Sequence, residues 1–216
     1  YVFKDIKTKG RDFNILQEII VRAYSEGYKI KEIPFHYSQR SYGKSKARLL
    51  KFGISYLKTL KKLWFLRNSL NSADYDERAF NSKIPLQRYW QRQRYKIIMS
   101  MLDDKKDILD IGCGSSKIIQ HLRDAVGFDL AMNKLRYIRK TNKYLVNGDA
   151  TKLPFKDSSF KTIICSEVLE HVKDDVKLLD EMYRILKKNG ILIKGTPDYR
   201  KLTWRLLENL HGFFIA

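Results

Sequence analysis

The run Asp107-Ile-Leu-Asp-Ile-Gly-Cys-Gly114 constrains the fold of this chain more than any other. A short apolar strand ends in an acid and two closely spaced glycines, and helical apolar spacing begins at Lys117. Glycine there lets backbone approach a ligand closely, although a tight turn alone also calls for it. From about Glu77 onward the pattern alternates. Strands are predicted at Asp107 to Ile111, Ala125 to Asp129, Tyr144 to Asn147, Lys161 to Cys165 and Ile191 to Lys194. Helices are predicted between them, at Lys117 to Arg123, Met132 to Thr141 and Val176 to Lys188. Such alternation predicts an α/β domain with a parallel sheet and crossover helices.

Acids at strand ends sharpen this reading. Asp129 closes the second strand at the offset where a carboxylate reaches ribose hydroxyls, and Asp149 closes the third. A dinucleotide fingerprint would need a third glycine at position 117, which is Lys117. Asp110 would repel a diphosphate but attract the cationic end of a sulfonium nucleoside.

The segment from about Lys106 to Asp198 resembles class I S-adenosylmethionine-dependent methyltransferases of the small-molecule type. The resemblance is carried by DIGCG, VGFD, NGDATKLPF, SFKTIICSEVLEHV and EMYRILKKNGILIKGTPD, in that order. It implies a Rossmann-like sheet and S-adenosyl-L-methionine as cofactor. Asp110, Gly112 and Gly114, with the intervening Cys113, would hold the methionine end. Asp129, with the following Leu130, would hold the ribose, and Asp149 with Ala150 the adenine. Ser166 would border the methionine and the reacting methyl group. Members of the family use seven strands, so the domain is expected to be incomplete at its C-terminus, with weak cofactor binding.

Glu167, Glu170 and His171 form an E-x-x-E-H spacing expected on one helical face. They are the candidate catalytic residues, because an acceptor that must lose a proton needs a base. The pattern also resembles the metal-using methyltransferases that O-methylate ubiquinone precursors, while a purely supporting role for Glu170 and His171 is the plainer alternative; no metal is assigned. Tyr89, Trp90 and Arg94 fall on a predicted helix that could cap the pocket or serve the core. Cys113 and Cys165, the two cysteines, read as packing residues of a reducing compartment.

The first 67 residues differ in kind. A helix is predicted near Phe13 to Glu26, a strand from Lys29 to Tyr37, and a long helix from Lys44 to about Arg67. No Asp or Glu occurs between Pro34 and Ser72, and the formal net charge of the 216-residue chain is +19. GYKIKEIPFHYSQRSYGKSK resembles the end of the catalytic domain in family 2 glycosyltransferases of the dolichyl-phosphate mannose synthase type. That resemblance implies a phosphate-binding role for Arg40, Ser45 and Lys46. Residues 1–67 are therefore expected to be a glycosyltransferase tail, 68–76 a linker and 77–216 a truncated methyltransferase domain, together a piece of a fusion that methylates a small-molecule, sugar or lipid-linked acceptor. The alternative is a polyprenyl-phosphate mannosyl- or glucosyltransferase with an accessory methyltransferase-like domain. The expected partners are a small-molecule or lipid-linked acceptor and an anionic membrane surface for the basic helix, the alternative being a helix packed on a glycosyltransferase core with its basic face solvated. Nucleic acid is disfavoured because no nucleic-acid module is recognised. A cytoplasmic location, soluble or peripheral to the membrane, follows from the same reading.

Overall fold

The computed structural model describes residue 6, residue 8, residues 14–36 and residues 49–196, with side chains in the second long helix described from residue 53. Its centre is a five-stranded parallel sheet in the order β3-β2-β1-β4-β5. The strands are β1 (Ile108–Ile111), β2 (Val126–Asp129), β3 (Leu145–Asn147), β4 (Phe160–Ser166) and β5 (Leu186–Gly195). Alternate residues of the inner strands enter apolar clusters on opposite faces. Ile108 and Ile164 join one with Ile118, Ile119 and Ile138, and Leu109, Ile163 and Cys165 join the other with Leu178, Met182 and Ile185. Burial on both faces explains why β1 and β4 read as near-continuous apolar runs.

The helices are α1 (Asn14–Ser25), α2 (Leu49–Asn68), α3 (Tyr75–Phe80), α4 (Pro85–Ser100), α5 (Lys117–His121), α6 (Met132–Ile138) and α7 (Asp175–Ile185). Ile98 of α4 lies with α5 and α6 in the first cluster, whereas α7 supplies Leu178, Met182 and Ile185 to the second. α5 is capped by Ser116, whose hydroxyl accepts from the Ile119 N–H, and α7 by Asp174, whose carboxylate accepts from the Lys177 N–H. The expected helix from Val176 to Lys188 is cut short at Ile185. Asn189 adopts a left-handed φ of 62° beside Gly190, and the ladder jumps from the pair Phe160–Leu186 to the pair Thr162–Ile191. That bulge draws Leu186 to Gly190 into the sheet, a tertiary choice that overrides local helical preference.

The expected strand from Lys29 to Tyr37 is not formed over the described residues 29–36, which pair with no other strand. Ile33 and Phe35 are 76% and 82% exposed, so alternating apolar residues found no sheet to join. Residues 68–76, expected as a linker, are packed. Ser72, Ala73 and Asp74 are buried, and Asp74 receives both terminal nitrogens of Arg67, the Ser72 hydroxyl and an ion pair from Arg78. This knot fixes α1 to the sheet domain. Ala73 N–H donates to Ser25 O at 2.8 Å, Asn133 Nδ2 of α6 to Asn71 O at 2.7 Å, and Arg136 to Glu26 O at 2.6 Å.

Candidate active site

Strand order reverses between β1 and β4, since the chain runs outward from β1 to β3 and returns to the other side of β1 for β4. Ligands of open parallel sheets bind at the carboxyl ends beside such a switch. A cleft of about 1490 Å³ lies there, lined by Gly112, Gly114, Asp129, Asp149, Ser166 and Glu170 among others.

Gly112 and Gly114 both have left-handed φ, 67° and 53°. A Cβ on Gly112 would stand 2.2 Å from Val168 Cγ2, and one on Gly114 would stand 2.4 Å from Asp76 Oδ2. Turn conformation and close approach therefore both demand glycine. Asp129 ties this turn to the end of β2: one carboxylate oxygen accepts from the Gly114 N–H and the other from the Ala131 N–H, each at 2.7 Å. Asp149 is exposed on the same rim, and hydrogen bonds from the Thr151 N–H and hydroxyl hold its carboxyl below the usual range.

Asp110 is the most unusual group. Its side chain is buried, and Oδ2 has no hydrogen-bond partner among the described residues. Burial pushes its carboxyl up to about 7, with Asp129 and Asp76 adding to the rise and Arg94 opposing it. Cys113 faces the core, and burial raises its thiol well above the ordinary range; Cys165 is likewise pushed up to about 12. Both thiols stay protonated, so Cys113 contributes its backbone to the turn rather than a nucleophile. Leu130, Ala150 and Ser166 all line the cleft.

The E-x-x-E-H residues do not share a helical face. Glu167 has a φ of 59°, which breaks the backbone direction, and only Leu169–His171 form a short 3-10 turn. Glu167 turns toward α4, where its carboxylate accepts from Trp90 Nε1 and pairs with Arg94. Glu170 lines the cleft with a buried Oε2 that has no hydrogen-bond partner among the described residues, and His171 is exposed at the rim. Among the described residues no three His, Cys, Asp or Glu side chains are grouped to hold a metal ion. Trp90 and Arg94 thus take the capping position expected of α4, while Tyr89 is 61% exposed and away from the cleft. Arg40, Ser45 and Lys46 lie outside the described residues.

Two site residues escaped sequence reasoning. Asp76, at the start of α3, accepts from the Ser115 N–H at 2.8 Å and pairs with Lys134 at 3.0 Å. Burial disfavours its charge, yet Lys134 and the Ser115 N–H outweigh this and hold its carboxyl below the usual range. Glu77 reaches Lys117, Gln120 and the Tyr137 hydroxyl. The two acids clamp α3 over the glycine turn. Their partners lie about 40 residues or more away in sequence, so spacing carried no signal.

Residues 109–194 match the family model of the methyltransferase domain. By that match, residues 109–194 are a methyltransferase domain. An uncharacterized protein of Methanocaldococcus jannaschii is 31% identical over 152 residues, covering 68% of this chain and 60% of that one. A demethylmenaquinone methyltransferase of Streptomyces avermitilis is 32% identical over 134 residues, 59% and 56% of the two chains. The solved structure of a Thermotoga maritima S-adenosylmethionine-dependent methyltransferase superposes with a TM-score of 0.55 at 28% identity, covering 62% of each chain. The chain spans roughly half to three-fifths of the length of the curated relatives it matches.

S-adenosylmethionine is the cofactor of this domain, and the methyltransferase residues fit it. An unpartnered buried carboxylate oxygen on Asp110 suits the cationic methionine end, and Asp129 and Asp149 offer acceptors to the nucleoside along the same rim.

Proposed function

We propose that this chain transfers the methyl group of S-adenosylmethionine to a small-molecule or lipid-linked acceptor in the cleft above β1 and β4. The observation that carries the reading is the orphaned, buried Asp110 oxygen beside two left-handed glycines. A carboxylate kept dry costs free energy unless a cation completes it.

When bound, S-adenosylmethionine supplies an electrophilic methyl on a sulfonium, whose departure needs chiefly an in-line nucleophile. Asp110 orients the cationic end, Asp129 the ribose, and Asp149 with Ala150 the adenine. Trp90 and Arg94, fixed by Glu167, wall the cleft against water. His171 and Glu170 also line the cleft, where either would take the proton of an acceptor hydroxyl or amine. The demethylmenaquinone methyltransferases among the relatives support a quinone-like acceptor. Residues 27–46 further support placing the domain in a fusion with a polyprenyl-phosphate-type glycosyltransferase, on their sequence alone. Incubation with methyl-labelled S-adenosylmethionine and reduced quinones or polyprenyl-phosphate sugars tests the reading. Label in the organic extract with matching S-adenosylhomocysteine is expected; label transfer undiminished in Asp110→Ala would refute it.

A further inference from the structure

The apolar positions of α2 are turned outward. Ile54, Leu57, Trp64 and Phe65 recur at helical spacing on one face and are 59%, 66%, 45% and 53% exposed. Lys58 and Lys61 stand among them on that face, both exposed. The opposite face is the one that packs: Ser55 accepts from Asn14 of α1, Lys62 pairs with the buried Glu18, and Leu63 is buried.

α1 shows the same inversion, with Leu16, Ile20 and Tyr24 exposed at i, i+4 and i+8. Between the two helices runs a groove of about 810 Å³ lined by Ile20, Val21, Tyr24, Ile30, Leu60 and Trp64. Exposed Ile33 and Phe35 follow Ile30. Exposed apolar side chains gathered on two packed helices around such a groove mark an interaction site.

Charge selects the occupant. The sequence carries no Asp or Glu from Pro34 to Ser72, so the α2 part of the face is edged by cations alone, while Glu32 stands exposed between Ile30 and Ile33 beyond the end of α1. A second copy docked through the same patch would bring Lys58 and Lys61 of both copies into one interface, adding like charge. A nucleic acid would leave the apolar side chains without a partner. An anionic bilayer satisfies both halves, taking the apolar side chains at the acyl boundary and the lysines at the headgroups. Among the described residues no helix is long and apolar enough to cross a membrane, so the geometry is that of lying on the surface.

We propose that the outward face of α1 and α2 seats on an anionic phospholipid surface. Both helices end at the cleft, which Glu26, Leu70 and Asn71 help to line, so seating carries the methyltransferase site to the bilayer.

Flotation of the full chain with vesicles tests this, comparing phosphatidylcholine alone with phosphatidylcholine containing about one-third phosphatidylglycerol. Binding is expected only to the anionic vesicles and is expected to weaken as salt rises. Replacing both Lys58 and Lys61 with Gln should weaken it on the order of tenfold. Leu57→Glu, at a site exposed enough to leave folding intact, should weaken it at least as much. Equal binding to neutral vesicles, or no binding to either, overturns the proposal. So does a dimer in sedimentation equilibrium that Leu57→Glu dissolves, or RNA binding lost with the lysines but kept in Leu57→Glu. If a variant misfolds, the lipid and salt dependence of the unmodified chain still decides between these outcomes.

Discussion

Replacing Asp110 with Asn separates what the site needs from what the fold needs. The carboxyl of Asp110 titrates near 7 in the folded chain because burial disfavours its charge, against an ordinary value of 3.8. With a folded value above the unfolded one, the native state holds the extra proton between roughly pH 4 and 7, so stability falls as pH rises through that window. About three units correspond to roughly 4 kcal/mol, present in full above pH 7. At pH 5 only the first unit or so of that cost is incurred, leaving roughly 2.5 kcal/mol to appear between pH 5 and pH 8. Asp110→Asn keeps the shape and removes the charge. Its stability relative to the unmodified chain should therefore improve by roughly 2 kcal/mol between those pH values, on the order of 4–8 °C in Tm. Urea or thermal unfolding at both pH values measures it. The same variant should lose affinity for S-adenosylmethionine, and the unmodified chain should bind more tightly as pH rises through 7, about tenfold from pH 6 to pH 8 relative to the variant. A stability difference that does not change with pH, or a variant less stable at pH 8, would refute the account of Asp110 as a dry carboxylate awaiting a cation.

Other expectations follow from named contacts. Gly112→Ala combines a left-handed φ with a Cβ 2.2 Å from Val168 Cγ2, so it should cost at least 1–2 kcal/mol in urea unfolding and abolish cofactor binding in calorimetry. Arg67→Ala removes the double hydrogen bond to buried Asp74, leaving Ser72 and Arg78; a loss of about 2–4 kcal/mol is expected by chemical denaturation. Burial opposes the Asp74 charge but Arg67 overrides it and holds the carboxyl below its ordinary value, so that stabilisation should be present near neutral pH and vanish as pH falls below about 4. His171→Ala should lower turnover without changing S-adenosylmethionine affinity; unchanged turnover would leave His171 a rim residue only.

The sheet was legible because its strands are buried on both faces and bounded by glycine and acid residues. The glycine turn, the buried Asp110 and the acids Asp129 and Asp149 were legible for the same reason, all lying at or near strand ends in sequence order. Long-range choices were not. The helix at Val176 ends early because β4 recruits Leu186, and the E-x-x-E-H face dissolves because Glu167 takes a left-handed φ to reach α4. The polar stretch from residue 68 into the first turn of α3 looked like a spacer because its acids find their partners only through folding: Asp74 with Arg67 and Arg78, Asp76 with Lys134, Glu77 with Lys117.

Calorimetric titration of the chain with S-adenosylmethionine, in parallel with its Asp129→Ala variant, tests the central claim most directly. One site per chain is expected, displaced by S-adenosylhomocysteine and lost when the Asp129 carboxylate no longer joins the Gly114 and Ala131 N–H groups. Binding that survives Asp129→Ala unchanged, or heat with no displacement by the demethylated product, would contradict it.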